Sequence, residues 1–339
     1  MSVSLGARTA LVTGANGFVG CHVVRALVAD GAQVRAFVRR DADLRGLDGV
    51  ACERVVGDLR DAGSLEAAAR GCDEIYHVAA DYRLWVADEA PMYAANVDGT
   101  RNVIAAARAA GVRRLVYTST VGALGIAADG IGRETTPVGL AAMVGPYKRS
   151  KFIAEQEALK AAREGVPIVI VNPSTPIGPD DFKPTPTGRI IVDFLNRRIP
   201  AFMETGLNLV CVEDVARGHL LAAERGRVGE KYILGGENLT LEELLQRLAR
   251  IAGIPAPRLK IPYAVAYGFA LGAEAVARTL THRPPRASLT EVRMARKKMF
   301  FDSAKAIAEL GYAPGPFDDG LARAIAFFRR AGMARAAAA

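Results

Sequence analysis

Near its start the sequence reads Thr13-Gly14-Ala15-Asn16-Gly17-Phe18-Val19-Gly20, between the apolar run 10–12 and an amphipathic helical pattern over 19–29. This order predicts a strand, a tight glycine turn and a helix. Gly14 permits the turn, Gly17 leaves room for a phosphate at the backbone, and Gly20 lets the helix pack closely on the strand. The first N–H groups of the helix offer an anion site. We therefore expect a dinucleotide pyrophosphate here, bound by Gly14, Gly17, Phe18, Val19 and Gly20.

The composition limits the class of protein. The chain has 339 residues, half of them hydrophobic, which suits one large domain or two unequal ones. Its four cysteines are scattered, so we expect a reducing, cytoplasmic setting and neither a disulfide framework nor a metal site. We find no signal-peptide pattern and no run of about eighteen apolar residues that would predict a stable membrane span. The net charge of +8 is spread along the chain, which does not favour nucleic acid.

The end of the second predicted strand bears on the choice of cofactor. An NAD site usually carries Asp or Glu there, where it holds the ribose 2′-hydroxyl. Here Val38 is followed by Arg39 and Arg40, and a guanidinium can bind a 2′-phosphate. Arg39 therefore favours NADP over NAD, although two solvated loop arginines are the alternative. After the third strand, Asp58 could accept a hydrogen bond from an adenine amino group or cap the next helix.

A second motif, Tyr147-Lys148-Arg149-Ser150-Lys151, begins a helix predicted over 147–162. Tyr147 and Lys151 are four residues apart and share a helix face. A nearby ammonium stabilises a phenolate and lowers the phenol pKa from about 10, so the pair can act as an acid and base at neutral pH. The preceding strand ends in hydroxyl residues that can orient a substrate oxygen. The predicted catalytic residues are Tyr147, Lys151, Thr120 and Ser119.

Three further residues are candidates for contact with a small-molecule substrate. Tyr82 lies in the aromatic loop 81–85, which forms either a wall of the site or a hydrophobic plug over the sheet. Asn96 is a polar residue in a helix predicted over 92–110, and it either serves the site or bridges the backbone. Arg189 follows a loop that could close over substrate; it either pairs with an anionic group or stays solvated.

Alternating strand and helix patterns predict an α/β fold, a doubly wound parallel Rossmann sheet with a smaller C-terminal α/β substrate domain. We expect the NAD(P)-binding domain to span 1–180 and the substrate portion 181–331, with segments such as 207–225 returning to the first domain. The apolar stretch 261–280 predicts a helix packed inside the small domain, a groove for a hydrophobic substrate or a peripheral membrane contact. The tail 332–339 lacks a packing pattern and is expected to fray.

Together, TGANGFVG, the hydroxyl-rich strand end and YKRSK resemble the extended short-chain dehydrogenase/reductase family, or NAD-dependent epimerase/dehydratase family, over essentially the whole chain. HVAADYRLW (77–85) and VNPSTPIGPDDF (171–182) are similar to the subgroup of hopanoid-associated sugar epimerases, often described as dihydroflavonol-4-reductase-like. The resemblance implies that Tyr147 is the acid/base, that Lys151 binds the nicotinamide ribose and that Thr120 is the active-site hydroxyl. It also implies cofactor contacts by Asp58, Leu59, Ala79, Ala80, Pro173 and Ser174.

The resemblance leaves two reactions open. The reductase branch has an arginine at the position of Arg39, whereas nucleotide-sugar epimerases commonly have an acidic residue where this chain has Val38. We therefore expect an NADP- or NAD-dependent ketone reductase, with a nucleotide-sugar epimerase of hopanoid biosynthesis that retains NAD as the alternative. A non-catalytic cofactor sensor is disfavoured by the intact pair of Tyr147 and Lys151. A homodimer is a further expectation.

Overall fold

The computed structural model of the chain describes residues 8–277, 279 and 288–335. Within these ranges the β-strands, in chain order, are β1 (Thr9–Thr13), β2 (Gln33–Val38), β3 (Glu53–Val56), β4 (Glu74–His77), β5 (Arg114–Thr118), β6 (Ile131–Gly132), β7 (Ile168–Pro173), β8 (Thr175–Ile177), β9 (Ala201–Phe202), β10 (Gly206–Cys211), β11 (Lys231–Leu234), β12 (Glu237–Thr240), β13 (Leu259–Lys260) and β14 (Phe300–Phe301). The α-helices are α1 (Phe18–Ala29), α2 (Ala62–Ala69), α3 (Ala90–Tyr93), α4 (Gly99–Ala110), α5 (Gly145–Arg163), α6 (Pro186–Leu195), α7 (Val212–Arg225), α8 (Leu241–Ala252), α9 (Tyr263–Val276), α10 (Leu289–Ala295), α11 (Ala304–Leu310) and α12 (Phe317–Arg330). A π-helical turn over Ala94–Asp98 joins α3 to α4, so the single helix predicted over 92–110 is divided in two.

Seven of these strands form a parallel sheet in the order β11-β7-β5-β4-β1-β2-β3. Because they all run in the same direction, their carboxyl ends lie along one edge. The strand order reverses between β1 and β4, and ligands of open α/β sheets bind at such a switch point. The predicted doubly wound parallel sheet is confirmed, and it brings the glycine turn after β1 beside the residues that follow β4.

Both faces of the sheet are covered, and β1 shows how the side chains divide between them. Ala10 and Val12 belong to a core with α1 and α7, whereas Leu11 belongs to a second core with α2, α4 and α5. All three side chains are fully buried. Side chains along a strand alternate between the two faces, so a strand buried on both faces is a continuous apolar run. The carboxyl edge is thereby held between two helical layers.

The second half of the chain contributes a smaller core among β8, β10, β12, α6, α8 and α12. Leu209, Leu244 and Phe328 are among its buried side chains. Two elements of this half belong to the large sheet instead, because α7 packs against α1 and β11 pairs with β7. Of the segment 207–225, α7 thus returns to the first domain, whereas β10 stays in the smaller sheet. The domain boundary after residue 180 remains a prediction.

The tail differs from the prediction over its described part. Met333 and Ala334 pack on the smaller core. Asn196 fixes them, since its Nδ2 donates to the Met333 carbonyl at 2.9 Å and its Oδ1 accepts from the Arg335 N–H at 3.2 Å. Residues 333–335 are thus packed or hydrogen-bonded, residues 336–339 lie outside the described part, and fraying of the tail stays a prediction.

The apolar stretch 261–280 also differs from the simplest prediction. It forms α9, with residues 278 and 280 outside the described part. The small domain does not enclose this helix, because one of its largest apolar side chains, Phe269, is 61% exposed. None of the helices that the structure describes is both long enough and apolar enough to cross a bilayer.

Candidate active site

The glycine turn between β1 and α1 is a tight junction that only glycine allows at two positions. Gly14 has φ +66°, and a Cβ there would lie 2.6 Å from the Cα of Ala79. A Cβ on Gly20 would overlap the carbonyl oxygen of Gly14. Gly17, the residue before α1, is exposed, and a Cβ there would meet only the Gly14 oxygen, at 3.1 Å. The open space at Gly17 and the uncapped N–H groups of α1 fit an approaching phosphate.

A buried polar chain ties this turn to the strand beside it. His77 at the end of β4 contacts Thr13 Oγ1 through Nδ1 at 2.7 Å and Thr100 Oγ1 through Nε2 at 3.1 Å. The Thr13 hydroxyl also accepts the N–H of Ala79 at 3.3 Å. Burial lowers the pKa of His77 to about 3, so its ring stays neutral at physiological pH. His77 therefore has a positioning role for the edge on which Gly14 and Ala79 meet.

Arg39 and Asp58 lie close together at the ends of β2 and β3. Arg39 is exposed. The hydrogen bond from Arg60, with a smaller contribution from the charge of Arg39, lowers the pKa of Asp58 to about 2. The Asp58 carboxylate is held by Arg60 at 2.7 Å, and the alternative that it caps the next helix is wrong. Asp61 caps α2 instead, accepting from two N–H groups of its first turn.

Helix α5 carries Tyr147 and Lys151 to the end of β5. The Tyr147 side chain shares a hydrogen bond with Thr120, while Lys151 Nζ donates to the Thr118 carbonyl at 2.7 Å. Burial lowers the pKa of Lys151 to about 7. Burial also raises the pKa of Tyr147 above its usual value, and the Thr120 hydrogen bond only partly offsets this. Burial of Tyr147 thus acts against the lowering of its pKa that the sequence predicts.

The Ser119 hydroxyl points into the protein and not, as was predicted for it, toward a substrate. Its hydroxyl donates to Glu155 Oε2 at 2.6 Å, inside the protein. Asn172 Nδ2 donates to the same carboxylate oxygen at 2.8 Å and to the Thr120 carbonyl at 3.1 Å. The prediction that Ser119 orients a substrate oxygen is thus corrected, and Thr120 is the hydroxyl beside Tyr147. The sequence reasoning missed Glu155, although its place four residues after Lys151 could have indicated a shared helix face.

Asn96 bridges the backbone, which is one of the two roles that the sequence predicts for it. Its Oδ1 accepts from the Asp81 N–H at 2.7 Å, and its Nδ2 donates to the Asp81 carbonyl at 2.9 Å and to Ser150 Oγ at 3.0 Å. Asn96 is buried within the π-helical turn. The predicted substrate contact of Asn96 is therefore corrected, since its amide fastens the loop after β4 to α5.

Tyr82 and Arg189 both lie near the loop that precedes α6. The Tyr82 hydroxyl lies 3.5 Å from the Lys183 carbonyl. Arg189 is exposed in the first turn of α6, close enough for its charge to act on Tyr82, whose pKa burial raises. Both side chains thus border the loop before α6 that was expected to close over a substrate.

A comparison with known protein families identifies the family of the chain. The model of the NAD-dependent epimerase/dehydratase family matches residues 10–235. The chain belongs to this family. It is accordingly an NAD(P)-dependent enzyme of the oxidoreductase, epimerase or dehydratase type, and the expected extended short-chain dehydrogenase/reductase fold is confirmed.

Relatives within this family differ in the reactions their names describe. The chain is 46% identical to a Synechocystis sp. protein named as a dihydroflavonol 4-reductase, over 96% of this chain and 95% of the relative. It is 40% identical to sterol demethylase protein B of Methylococcus capsulatus, over 96% and 99%. It is 34% identical to a 4-hydroxy-2-methyl-3-oxo-4-farnesyl-3,4-dihydroquinoline-1-oxide ketoreductase of Stigmatella aurantiaca, over 89% and 91%.

Two solved structures share the whole fold. The protein gox2253 is 48% identical with a TM-score of 0.86, over 96% of this chain and 99% of that one. The dTDP-glucose 4,6-dehydratase DesIV of Streptomyces venezuelae, crystallised with NAD, is 28% identical with a TM-score of 0.76, over 95% and 97%.

The edge residues of this family member fit a nicotinamide dinucleotide. Pro173 ends β7, and the Ser174 N–H donates to the Leu234 carbonyl at 3.1 Å. Ser174 Oγ is buried and has no hydrogen-bond partner among the described residues. A buried hydroxyl without a partner is costly unless a ligand supplies one. Together with the open space at Gly17, it marks two places along the carboxyl edge, after β1 and after β7, that a bound dinucleotide would complete.

A cleft of about 400 Å³ opens beside α5, the helix that carries Tyr147. Trp85 from the loop after β4 and Pro146, the residue before Tyr147, line one part of it. Leu289 and Arg293 of α10 line another. The predicted aromatic wall of the substrate site is consistent with this cleft, which has both apolar and charged lining.

Proposed function

We propose that the protein reduces a ketone to an alcohol with NADPH. The observation that carries the proposal is the pair of positions at the end of β2, where Val38 replaces the usual acidic residue and Arg39 is exposed beside Asp58. An acidic residue at this place would repel a 2′-phosphate, whereas a guanidinium can bind it. The names of two relatives, a dihydroflavonol 4-reductase and a ketoreductase, support the same reaction class. We retain a cytoplasmic homodimer as part of this proposal.

In such a reduction, different residues of the site would bind different parts of the cofactor. The glycine turn with Phe18 and Val19 would hold the pyrophosphate, Arg39 the 2′-phosphate, Asp58 and Leu59 the adenine, and Ala79, Ala80, Pro173 and Ser174 the nicotinamide side. When bound, the nicotinamide supplies a hydride to the carbonyl carbon.

Tyr147 donates the proton that the substrate oxygen needs. Thr120, hydrogen-bonded to Tyr147, orients that oxygen. Lys151 has a pKa of about 7 and is held at the Thr118 carbonyl; as an ammonium it would bind the nicotinamide ribose and stabilise the tyrosinate that remains after proton donation. Burial, which raises the pKa of Tyr147, keeps the phenol protonated before that step.

The alternative is epimerisation of a nucleotide sugar, as in hopanoid biosynthesis, with NAD retained through the cycle. The exposed Arg189 near Tyr82 favours it, because a sugar nucleotide carries a diphosphate that needs a cation. Tyr147 would serve both reactions, so the catalytic residues do not discriminate between them.

The deciding experiment is to denature the purified protein and identify any cofactor released. We expect no stoichiometric NAD, followed by tighter binding of NADPH than of NADH to the empty protein. Stoichiometric NAD(H) in the released fraction would contradict the reductase proposal and support the epimerase.

The variant Tyr147→Phe tests the acid/base role in either reaction. We expect turnover to fall by roughly 10²–10⁴-fold while the cofactor still binds, because only the proton transfer is lost. Tyr93→Phe, on the neighbouring helix α3, is the matched control and should keep its turnover. Turnover near the unmodified level in Tyr147→Phe would exclude the proposed mechanism.

A further inference from the structure

Helix α9 has a surface composed wholly of apolar residues. Glu274 is the one charged residue in its sequence; it is buried, and its Oε2 accepts the Leu289 N–H at 3.0 Å. The exposed residues of α9 are Ala264, Val265, Gly268, Phe269, Leu271, Gly272, Ala275 and Val276. A helix at the surface of a soluble domain usually turns a polar face outward, so α9 reverses the ordinary pattern.

The exposed residues form one continuous face. Val265, Phe269 and Val276 follow a helical spacing and are 59%, 61% and 47% exposed. Leu271 beside them is 53% exposed. Ala266 and Ala270 on the opposite side are buried against Val292 of α10. Scattered apolar residues at a surface need no explanation, but a contiguous apolar patch indicates an interaction site.

Cations border this face. The guanidinium of Arg293 lies 6.0 Å from the Tyr267 ring centroid and donates to its hydroxyl at 3.3 Å, and that of Arg296 lies 5.8 Å from the Tyr263 ring. Lys297 follows Arg296 in the chain and is exposed. In the part of the chain that the structure describes, none of these three cations forms an ion pair with an acidic residue. Two tyrosines of α9 thus hold arginines at its margin.

We propose that this face, with Arg293, Arg296 and Lys297, docks the protein on the surface of a membrane that contains anionic lipids. Interfacial helices insert apolar side chains at the boundary between headgroups and acyl chains while basic residues contact anionic headgroups. The 14 residues of α9 span ~20 Å, too short for the ~30 Å hydrocarbon core, so the helix would lie in the interface plane. The proposal does not depend on the reaction that the enzyme catalyses.

A second copy of the chain fits the face less well. A helix face of ~20 Å by ~10 Å offers far less area than the ~800 Å² per partner that a stable interface buries. Two-fold pairing through α9 would also bring the same cations of both copies toward each other. Anionic headgroups would instead neutralise the charge on Arg293 and Arg296.

Vesicle flotation of the full chain tests the proposal. We expect binding to phosphatidylcholine vesicles that contain about 30% phosphatidylglycerol, and much weaker binding to pure phosphatidylcholine. The double variant Val265→Asp/Phe269→Asp should weaken binding roughly tenfold or more, since it removes the apolar insertion and adds anionic charge. Arg293→Ala/Arg296→Ala should weaken binding to the anionic vesicles roughly tenfold and leave binding to neutral vesicles unchanged.

Ile307→Asp is the matched control, because Ile307 is 51% exposed on another helix, α11. It should bind vesicles as the unmodified chain does. Absence of vesicle binding by the unmodified chain would overturn the proposal, as would binding that Val265→Asp/Phe269→Asp leaves unchanged. A dimer in sedimentation that this double variant dissociates, without vesicle binding, would assign the face to a second copy instead. A large fall in the thermal midpoint of the double variant would show that the face is packed, which also contradicts docking.

Discussion

Helices α1 and α9 are both strongly apolar, yet the chain uses them in opposite ways. Helix α1 covers the sheet, with Val23, Val24 and Leu27 fully buried. Helix α9 leaves Val265 and Phe269 more than half exposed. Both contain glycine, but Gly20 of α1 lies against the backbone of Gly14, whereas nothing lies within 4 Å of a Cβ at Gly268. Apolar composition alone therefore does not predict that a helix is buried. Burial also requires a sheet or another element that covers the apolar face.

The largest effect should come from Gly20→Val. Its side chain would overlap the Gly14 carbonyl, so β1 and α1 would have to separate. Overpacking typically costs 1–3 kcal/mol and more where only backbone can move, and we expect a loss of about 3 kcal/mol or more in the free energy of unfolding, with loss of dinucleotide binding. Denaturant unfolding and cofactor titration measure both. A variant with unchanged stability and binding would show that the close packing of α1 on β1 is not required.

The next effect concerns a buried cation, in contrast to the exposed arginines beside α9. Lys151 is 2% exposed, and burial lowers its pKa to about 7, below the value of about 10.4 in an unfolded chain. Below pH 7, Lys151 is protonated in both the folded and the unfolded chain, and the full cost of burying its charge lowers the stability of the fold. Between pH 7 and about 10.4 the unfolded chain binds the proton that the folded chain lacks, so stability rises with pH.

Lys151→Met should therefore lower turnover by roughly 100-fold or more while raising the thermal midpoint of the cofactor-free protein by a few degrees. The rise should be larger at about pH 6 than at about pH 9, because the penalty removed shrinks as pH increases. Midpoints measured at both pH values check this sign. Arg293→Met, which changes an exposed cation, is the control and should show no such pH dependence. An equal rise at both values would contradict the lowered pKa, because it would mean that Lys151 binds its proton equally in the folded and the unfolded chain at both pH values.

A smaller effect is expected at Arg39, which is exposed at the end of β2. Arg39→Ser should weaken NADPH binding by roughly tenfold or more and leave NADH binding nearly unchanged, because the side chain would meet only the 2′-phosphate. Arg40→Ser, one residue further along and also exposed, is the matched control. Fluorescence titration with both cofactors provides the affinities. Equal losses for NADPH and NADH would contradict a 2′-phosphate contact.

The sequence was most informative where a local motif and the sheet topology agree. The turn at Gly14, Gly17 and Gly20 and the helix of Tyr147 and Lys151 were predictable, because spacing alone defines a turn or a helix face. The orientation of Ser119 was not predictable, since it depends on Glu155, which reaches β5 from α5. Hydroxyl residues in a row point to alternate faces of a strand, and the sequence does not show which face carries the buried carboxylate.

Asn96 and α9 show two other limits. Asn96 lies in a π-helical turn that a regular helical pattern does not reveal, and this turn lets its amide reach Asp81 and Ser150. The exposure of α9 depends on which elements surround it, and an all-apolar pattern gives no direction for a buried face. Of the three predictions made for that stretch, enclosure in the small domain was wrong, and membrane contact is the one that the exposed face supports.

The smallest effect provides the sharpest test of the contrast between the two helices. Gly268→Ala adds a Cβ, the atom for which Gly20 has no room, but here the Cβ enters open space on α9. Glycine within a helix costs about 0.5–1 kcal/mol relative to alanine, so the variant should be more stable by that amount, with a thermal midpoint raised by about 1–4 °C. A calorimetric scan measures the shift. A destabilised Gly268→Ala would mean that the α9 face is covered in solution. Both helices would then be buried, and they would differ only in what covers them.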